Sequence, residues 1–160
     1  MAPAKKEIAS SPPAASPVLR LVAMLIDLVI LALLYVGGVA LVVVWGVSGF
    51  SHLASFSHLL SILTTLSAQL FLVPLIFPSC YFVVFHALGG QTIGKVCLGL
   101  QLVSAQGGSV SLATSYLRYV CYLVSLLPFG LGYLWAFLDD EALAWHDQLA
   151  GTRVIAADPA

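Results

Sequence analysis

The chain has 160 residues, of which 61% are hydrophobic and only 8% are charged. Soluble domains carry about 25% charged residues, so this composition, with a mean hydropathy of +1.04, predicts an integral membrane protein in contact with the lipid bilayer. The net charge is -1 and the six basic residues are scattered, which excludes the basic surface of a nucleic-acid-binding protein. The three cysteines show no CxxC spacing, so we expect no disulfide framework and no cysteine-based metal site, and no motif calls for a cofactor.

Residues 1–19 are rich in proline, alanine and serine, and such a composition does not bury enough apolar surface to become ordered. We predict a flexible tail that is retained ahead of the first membrane helix. Lys5, Lys6 and Arg20 flank that helix, whereas residues 46–65 contain no lysine or arginine. The positive-inside rule therefore places the N-terminus in the cytoplasm, and we expect a plasma membrane, the inner membrane of a bacterium.

Residues 20–45 form an apolar run that is long enough for a transmembrane helix, and the run contains one acidic residue, Asp27. An ionised carboxylate in the bilayer centre costs roughly 2.5 to 3.5 kcal/mol, so Asp27 should face protein or water. Arg20 lies two helical turns earlier on the same face, but we expect its long side chain to lean toward the headgroups. Asp27 then needs another cation.

The stretch that follows repeats the letters FSHL and is compatible with an amphipathic helix at the membrane interface. His52 and His58 are six residues apart, which places them about 240° apart around a helix, so they do not share a face. We therefore predict no metal site there.

Residues 66–88 predict a second spanning helix, in which Pro74 and Pro78 favour a kink. His86 falls near the cytoplasmic end of this helix, and we expect it to reach water at the interface.

The next segment, GGQTIGKVCLGLQLV, is rich in glycine and lacks the order of a Walker A phosphate loop. We expect Gly90 and Gly94 to allow a tight turn at the membrane surface and Lys95 to lie among the headgroups. With Gln91, these residues are predicted to form a cytoplasmic surface motif, which His146 and Asp147 near the C-terminus would complete.

Residues 111–127 predict a third helix, which Pro128-Phe129-Gly130 interrupts. The break is either a kink or a reversal. Residues 98–103 and 152–156 are both β-like and can pair only on the same side of the membrane, which favours a reversal. The expected fold is therefore an all-α membrane protein with three full transmembrane helices, a short fourth segment at residues 131–138 and a small cytoplasmic β-pairing.

This topology provides a candidate partner for Asp27. Arg118 lies seven residues into the third helix, which starts from the same side of the membrane, so both side chains lie about 10 Å inside their helices. We therefore predict a contact between Asp27 and Arg118, either as a structural charge pair or as an ion-coupling site.

The sequence contains three notable pieces: an arginine followed two turns later by an aspartate, the segment GQTIGKVCLGLQLV, and the segment WHDQLAGTRVI. Together these pieces resemble the RDD family of small membrane proteins. The family is named for one arginine and two aspartates, and the resemblance covers about residues 18–156. It implies that Arg20 and Asp27 are the first two residues of the family motif and that Asp147 is the third, with Asp139 as a competing position. It also implies a transmembrane domain at residues 20–156 and a short C-terminal tail.

The same resemblance implies either sodium/proton antiport, which is attributed to some family members, or the accessory and scaffold roles of others. Intramembrane carboxylates can exchange a proton for a cation, which fits transport, but one chain shows no inverted repeat, so a pathway would require a homo-oligomer. A scaffold would instead dock a partner membrane protein.

His146 and Asp147 suggest hydrolysis only if a nucleophile or metal lies nearby. We therefore predict no enzyme, and we expect Asp147 to cap a helix or to pair with Arg153 or Lys95.

Overall fold

The computed structural model describes residues 14–50 and 56–157, with the side chains of residues 47–50 left out. Most of the predicted N-terminal tail, His52 and the last three residues of the C-terminal tail lie outside these ranges. The described elements are α1 (Pro17–Phe50), α2 (Phe56–Gly89), α3 (Ile93–Cys97), β1 (Leu100–Ser104), α4 (Leu112–Leu126), α5 (Leu131–Leu134), a 3-10 turn (Trp135–Phe137), α6 (Trp145–Ala150) and β2 (Thr152–Ala156).

Two helices are long and apolar enough to cross a membrane: Pro17–Gly46 within α1, and the whole of α2. Each helix has 34 residues, which exceeds the length that a hydrocarbon layer requires. Helix α2 begins at Phe56, so this part of the predicted interfacial segment belongs to a spanning helix. The helix also continues through Pro74 and Pro78, and the kink at these residues stays a prediction.

The chain turns sharply after α4. Phe129 and Gly130 both have positive φ angles, 54° and 78°, and the helical segment that follows lies at 107° to α4. Such an angle is larger than a proline kink, because two consecutive left-handed residues redirect the backbone. The segment from α4 through the 3-10 turn is therefore either one broken span or a re-entrant loop, and it adds at most one span to the two long helices.

The predicted β-pairing is confirmed. Strands β1 and β2 are antiparallel, with Leu100 opposite Ala156 and Ser104 opposite Thr152, and β1 begins two residues later than the sequence suggested. Directly after the pair, the amide of Ala105 donates to the carbonyl of Gly151 at 2.9 Å. Residues 105–151 consequently leave the sheet and return to it at the same place.

The sheet also joins the ends of the two long helices. The amide of Ala15, just before α1, donates to the carbonyl of Val154 at 2.7 Å, and the amide of Leu102 donates to the carbonyl of Gly90, just after α2, at 2.7 Å. The start of α1, the end of α2 and the sheet therefore lie together, and we call this the sheet end. Small apolar side chains and strand residues form its core: Ala15, Ala23, Leu100, Leu102, Val110 and Val154.

The other half of the two long helices is very different. We call residues 33–46 of α1 and 56–77 of α2 the loop half, and no described side chain in it is buried. Leu33 is 68% exposed and Trp45 is 76% exposed. Exposed apolar side chains around both helices are what a lipid environment favours, and the buried polar side chains of residues 14–46 and 56–157 lie outside the loop half.

A buried polar cluster as the candidate functional site

Polar and charged side chains fill the interior of the sheet end, and Arg118 is the largest fully buried side chain described. We call them the buried polar cluster. Its members are Arg20, Asp27, Tyr81, His86, Thr92, Lys95, Ser115, Arg118, Tyr122, Ser125, His146, Asp147 and Thr152. Buried charges are tolerated when they are paired and hydrogen-bonded, so the partners of each charge determine what the cluster can do.

Asp27 is 1% exposed and is held by neutral donors from two other elements. Its Oδ1 accepts hydrogen bonds from the Tyr81 hydroxyl at 2.7 Å and from the Gly94 amide at 2.8 Å. Its Oδ2 accepts from the Thr92 hydroxyl at 2.6 Å. Because three donors surround one carboxylate, α1, α2 and the start of α3 are connected through this single side chain.

Gly94 allows this close approach. A Cβ atom at position 94 would lie 2.1 Å from the carbonyl oxygen of Ala23 and 3.1 Å from the Asp27 carboxyl carbon. Gly90 has a φ of +69°, and a Cβ there would lie 2.2 Å from the carbonyl oxygen of Leu102. The two glycines do allow tight backbone packing, but they pack against protein and not at an open membrane surface.

Asp147 is held by two arginines. Its Oδ1 lies 2.5 Å from Nη1 of Arg118, and its Oδ2 accepts from Nη1 of Arg20 at 2.8 Å and from the backbone amide of Ala144 at 3.0 Å. Burial works to raise the pKa of the Asp147 carboxyl, but the positive charges of Arg118 and Arg20 outweigh burial and lower this pKa to about 2. The carboxylate therefore stays ionised.

The two arginines also bond neutral groups. Arg20 donates to the carbonyl of Ala142, and Arg118 donates to the hydroxyl of Thr152 and, through Nε, to the hydroxyl of Tyr122 at 3.2 Å. Arg118 thus ties α4 to α6 and to β2. The ion pairs join α1, α4 and α6, which are far apart in the sequence.

The predicted contact between Asp27 and Arg118 is wrong. Helix α4 packs mainly against α2 and α6, and α6 brings Asp147 to the guanidinium of Arg118. Equal depth along two helices did not fix their lateral neighbours. Asp27 is satisfied by hydroxyl and amide donors and needs no cation.

The expected position of Arg20 among the headgroups is also wrong, because its side chain is only 11% exposed and points to Asp147. The expected pairing of Asp147 with Arg153 or Lys95 is wrong as well: Arg153 lies 3.2 Å from Glu141. Asp139, the competing position for the third motif residue, instead accepts a hydrogen bond from the amide of Leu143 at 2.8 Å.

The predicted surface motif is largely buried. Lys95 is 8% exposed and His86 is 1% exposed, and Nζ of Lys95 lies 2.6 Å from Nε2 of His86. Both residues were expected at the interface, but His86 on the last turn of α2 and Lys95 on α3 are buried and face each other. Gln91 is half-buried and donates to the carbonyl of Leu100 at 2.9 Å, which fastens the turn to β1.

The environment of Lys95 disfavours its charge. Burial, and to a smaller extent the positive charges of Arg118 and Arg20, lower the pKa of Lys95 to about 7, against the opposing effect of Asp147 and Asp27. Lys95 is therefore the basic side chain of the cluster that gains or loses a proton near neutral pH.

His146 is packed among aromatic rings and lies 3.2 Å, at Nδ1, from the hydroxyl of Ser125. Its ring centroid is 4.6 Å from that of Tyr122 and 5.0 Å from that of Tyr133. Burial, followed by the charge of Arg118, lowers the pKa of His146 to about 3. The ring is therefore neutral in the folded protein at ordinary pH and serves as packing in this environment.

Sequence reasoning missed the hydroxyl partners: Tyr81 and Thr92 for Asp27, and Tyr122 and Thr152 for Arg118. A signal was present, because a buried carboxylate or guanidinium must find hydrogen-bond partners, and hydroxyl side chains in apolar runs are natural ones. Among residues 14–50 and 56–157, no group of three or more histidine, cysteine, aspartate or glutamate residues could hold a metal ion.

Comparison with known proteins gives a consistent assignment. The family model described as the RDD family matches residues 14–151. The uncharacterized protein YckC of Bacillus subtilis (strain 168) is 37% identical over 75 residues, which cover 44% of this chain and 50% of that protein. The uncharacterized protein YxaI of the same organism is 38% identical over 65 residues, covering 40% and 42% of the two chains. The chain thus spans half or less of the curated relatives it matches, and no solved structure matches it.

Proposed function

The chain belongs to the RDD family, and we propose that it is a non-catalytic membrane scaffold that holds a partner membrane protein. The observation that carries this proposal is the state of Asp27, whose carboxylate is engaged by three neutral donors. The carboxylate that an ion-coupling mechanism would use is therefore employed in holding the helices together.

A coupling carboxylate has to exchange ligands during transport. For Asp27 to bind a cation, the hydroxyls of Tyr81 and Thr92 would have to turn their protons away, and the amide of Gly94 cannot turn at all. Asp147 is equally engaged, because both of its oxygens face arginines. The described residues form a surface cavity of about 340 Å³, but neither Asp27 nor Asp147 lines it. The lining residues are Asp139, Asp140, Glu141, Leu143 and Gln148.

The loop half supplies the surface that a scaffold needs. Its side chains make few contacts within the chain, although Gly46 of α1 approaches Ile62 of α2, where a Cβ atom would lie 3.5 Å from the isoleucine side chain. Neighbouring helices can pack against apolar, lipid-facing side chains without disturbing the sheet end. The buried polar cluster holds α1 and α2 together at one end and leaves their other halves available for lateral contact.

We place the sheet end on the cytoplasmic side of the bacterial inner membrane, because Arg20 and Arg153 lie there and residues 56–77 of the loop half carry no lysine or arginine. A membrane-impermeant maleimide tests this orientation. In intact cells it should label Phe56→Cys in a background without native cysteines, and it should label Cys97, kept as the sole cysteine, only after permeabilisation. The reverse pattern would contradict the orientation.

Site-specific photocrosslinking tests the scaffold. A photoreactive residue at Leu33 or Phe71, both exposed in the loop half, should give a protein adduct of one defined mass, identified by mass spectrometry and recovered when the partner is tagged instead. Phe129, fully exposed at the break after α4, is the matched control and should not give this adduct. Adducts to lipid alone at all three positions would contradict the proposal, and an adduct with a second copy of the chain would identify a homo-oligomer.

Proton-coupled cation transport is the second candidate, and the buried contact of Lys95 with His86 favours it. Proteoliposomes with an entrapped pH-sensitive dye test this function directly. Cation-dependent proton flux that is abolished by Lys95→Met and retained in Glu141→Gln, which changes an exposed carboxylate, would support transport over scaffolding. Absence of flux from vesicles that contain correctly folded protein would remove this candidate.

A further inference from the structure

The arginine, aspartate and lysine side chains of the buried polar cluster are five in number, and their charges do not balance. Arg20 and Arg118 contribute two positive charges, and Asp27 and Asp147 contribute two negative charges. Lys95 is the fifth group, and within the described part of the chain no carboxylate lies within ion-pair distance of it. A charge without a counterion in a medium of low dielectric constant is costly, so the interior is neutral when the lysine is uncharged.

The nearest polar partner of Lys95 is a group that can also exchange a proton. Nζ of Lys95 and Nε2 of His86 are separated by 2.6 Å, and both side chains are buried. A hydrogen bond between two nitrogens requires one proton between them, so the two groups cannot both be charged in this arrangement. When the lysine is an ammonium, it donates a hydrogen bond to Nε2; when it is a neutral amine, its lone pair accepts a hydrogen bond from Nε2–H.

The histidine ring is suited to both states. Nδ1 of His86 has no hydrogen-bond partner among the described residues, so no neighbour fixes which nitrogen carries the ring proton. The ring packs between aromatic side chains, with centroids 6.0 Å from Phe82 and 6.5 Å from Tyr122. Packing thus fixes the position of the ring while its tautomer can follow the state of Lys95.

From this contact and this charge balance, we propose that Lys95 and His86 form a binding site for one exchangeable proton inside the sheet end. The titratable groups around it come from the elements packed there: Arg20 and Asp27 on α1, Arg118 on α4, and Asp147 and the neutral His146 on α6. Three of these groups are basic, and the two acidic ones are engaged elsewhere. The lowered pKa of Lys95, about 7, agrees with a proton that is gained and lost near neutral pH.

Lys95 is buried, but it lies next to exposed residues in the sequence. Lys95 lies in α3, which has five residues, and the residues that follow it, Val96 and Cys97, are both exposed. Protonation adds one positive charge to the interior without changing the partners of Asp27 or Asp147. The proposal goes beyond scaffolding and does not depend on transport, because the site can bind a proton whether or not any ion crosses the membrane.

The test uses the fact that the chain contains only three lysines, Lys5, Lys6 and Lys95. The double variant Lys5→Arg and Lys6→Arg leaves Lys95 as the sole lysine and alters no residue of the cluster. With lysine labelled at 13Cε and 15Nζ, nuclear magnetic resonance of the full chain in nanodiscs should show one signal that titrates with a midpoint near pH 7, whereas an exposed lysine titrates near pH 10.4.

The same sample, labelled at the histidine ring nitrogens, provides the second measurement. The signal of His86 Nε2 should move with the same midpoint, because the two nitrogens share one hydrogen bond. His86→Leu should shift the lysine midpoint to lower pH by one unit or more, since the ammonium loses its acceptor. Ser79→Ala, a change on the same helix but outside the buried polar cluster, removes a hydroxyl that donates to the carbonyl of Ile76 and should leave the midpoint within a few tenths of a unit.

A lysine signal that keeps its charged form up to pH 10 would overturn the proposal, as would a signal without any change between pH 5 and 9. A lysine that titrates near pH 7 while His86 Nε2 does not respond would also overturn it, because the histidine would then not share the proton. If His86→Leu does not fold, the two coincident midpoints in the folded chain still decide the question.

Discussion

Asp27 and Asp147 are equally buried, but they are held in opposite ways. Asp27 accepts hydrogen bonds from two hydroxyls and an amide, whereas Asp147 faces the guanidinium groups of Arg20 and Arg118. Asp27 joins α1 to α2 and to the start of α3, which follow α1 in the sequence. Asp147, in contrast, joins α1 to α6 and lies 127 residues after Arg20. The comparison teaches that loss of the Asp147 charge removes the direct ion-pair partner of two arginines, whereas loss of the Asp27 charge leaves both of these ion pairs in place.

The largest effect is expected from Asp147→Asn. This change leaves two enclosed arginines without a carboxylate, and breaking a buried ion pair by removing one partner costs about 3–5 kcal/mol. We expect the unfolding midpoint in detergent to fall strongly or the folded protein to be lost from membranes. Glu141→Gln is the matched control: the Glu141 side chain is 68% exposed, so water screens its pair with Arg153, which should contribute less than about 1 kcal/mol. Similar losses in the two variants would show that Asp147 does not balance the arginines.

The second-largest effect is expected from acid, which should lower the free energy of unfolding through His146, the neighbour of Asp147. The folded-state pKa of His146 is about 3 and its ordinary value is 6.5, so the unfolded chain binds the extra proton first. Stability therefore falls as the pH drops below 6.5, by roughly 2 kcal/mol at pH 5 from this residue. Below pH 3.8, Asp147, with a folded-state pKa of about 2, adds to the loss.

Unfolding free energies measured at pH 6.5 and 5 in the wild type and in His146→Gln check this expectation. The variant should lose about 2 kcal/mol less than the wild type over this interval, because glutamine does not titrate. Equal losses in the two proteins would mean that His146 is not neutral in the folded state.

Gly94→Ala tests the tight packing at Asp27. The added Cβ would collide with the carbonyl oxygen of Ala23, which is backbone and cannot move away easily. We expect a loss of about 1–3 kcal/mol, together with weaker protection of the Gly94 region from hydrogen exchange. Gly89→Ala is the control, since nothing lies within 4 Å of a Cβ there. A tolerated Gly94→Ala would show that α3 can shift without disturbing α1.

The smallest loss among the buried changes should come from Asp27→Asn. Asparagine keeps the carbonyl oxygen for Tyr81 and Gly94, and the hydroxyl of Thr92 can rotate to accept from the new amide group. We expect a cost of about 1 kcal/mol, measured as the shift of the unfolding midpoint. A loss as large as that of Asp147→Asn would remove the distinction between the two carboxylates.

The sequence was informative where physics acts locally. Apolar runs predicted α1 and α2, and the β-like residues around Leu100 and Val154 predicted the pairing of β1 with β2. The same reasoning gave the break after α4, because Phe129 and Gly130 stand where the chain must turn.

The partners of the charges could not be predicted in the same way. Depth along a helix follows from residue number, but lateral neighbours depend on how α4, α6 and α2 pack, which no local pattern specifies. Arg118 therefore met Asp147 rather than Asp27. The burial of Lys95 was missed for a related reason: a lysine after a membrane helix usually reaches the headgroups, and only the inward fold of the turn around Gly90 and Gly94 prevents it.

The bond between Arg20 and Asp147 spans 127 residues of sequence, and this separation has a consequence for biogenesis. During synthesis Arg20 emerges among the first residues of α1, and Arg118 follows later, but their shared carboxylate arrives only with α6. Until then, neither guanidinium has its ionic partner, and both favour the headgroup region over the interior. The ion pairs of Asp147 and the pairing of β2 therefore form together, after the long helices have been synthesised. Insertion into the membrane and completion of the polar interior are then separate events. A chain cut before α6 would insert but would not complete its polar interior.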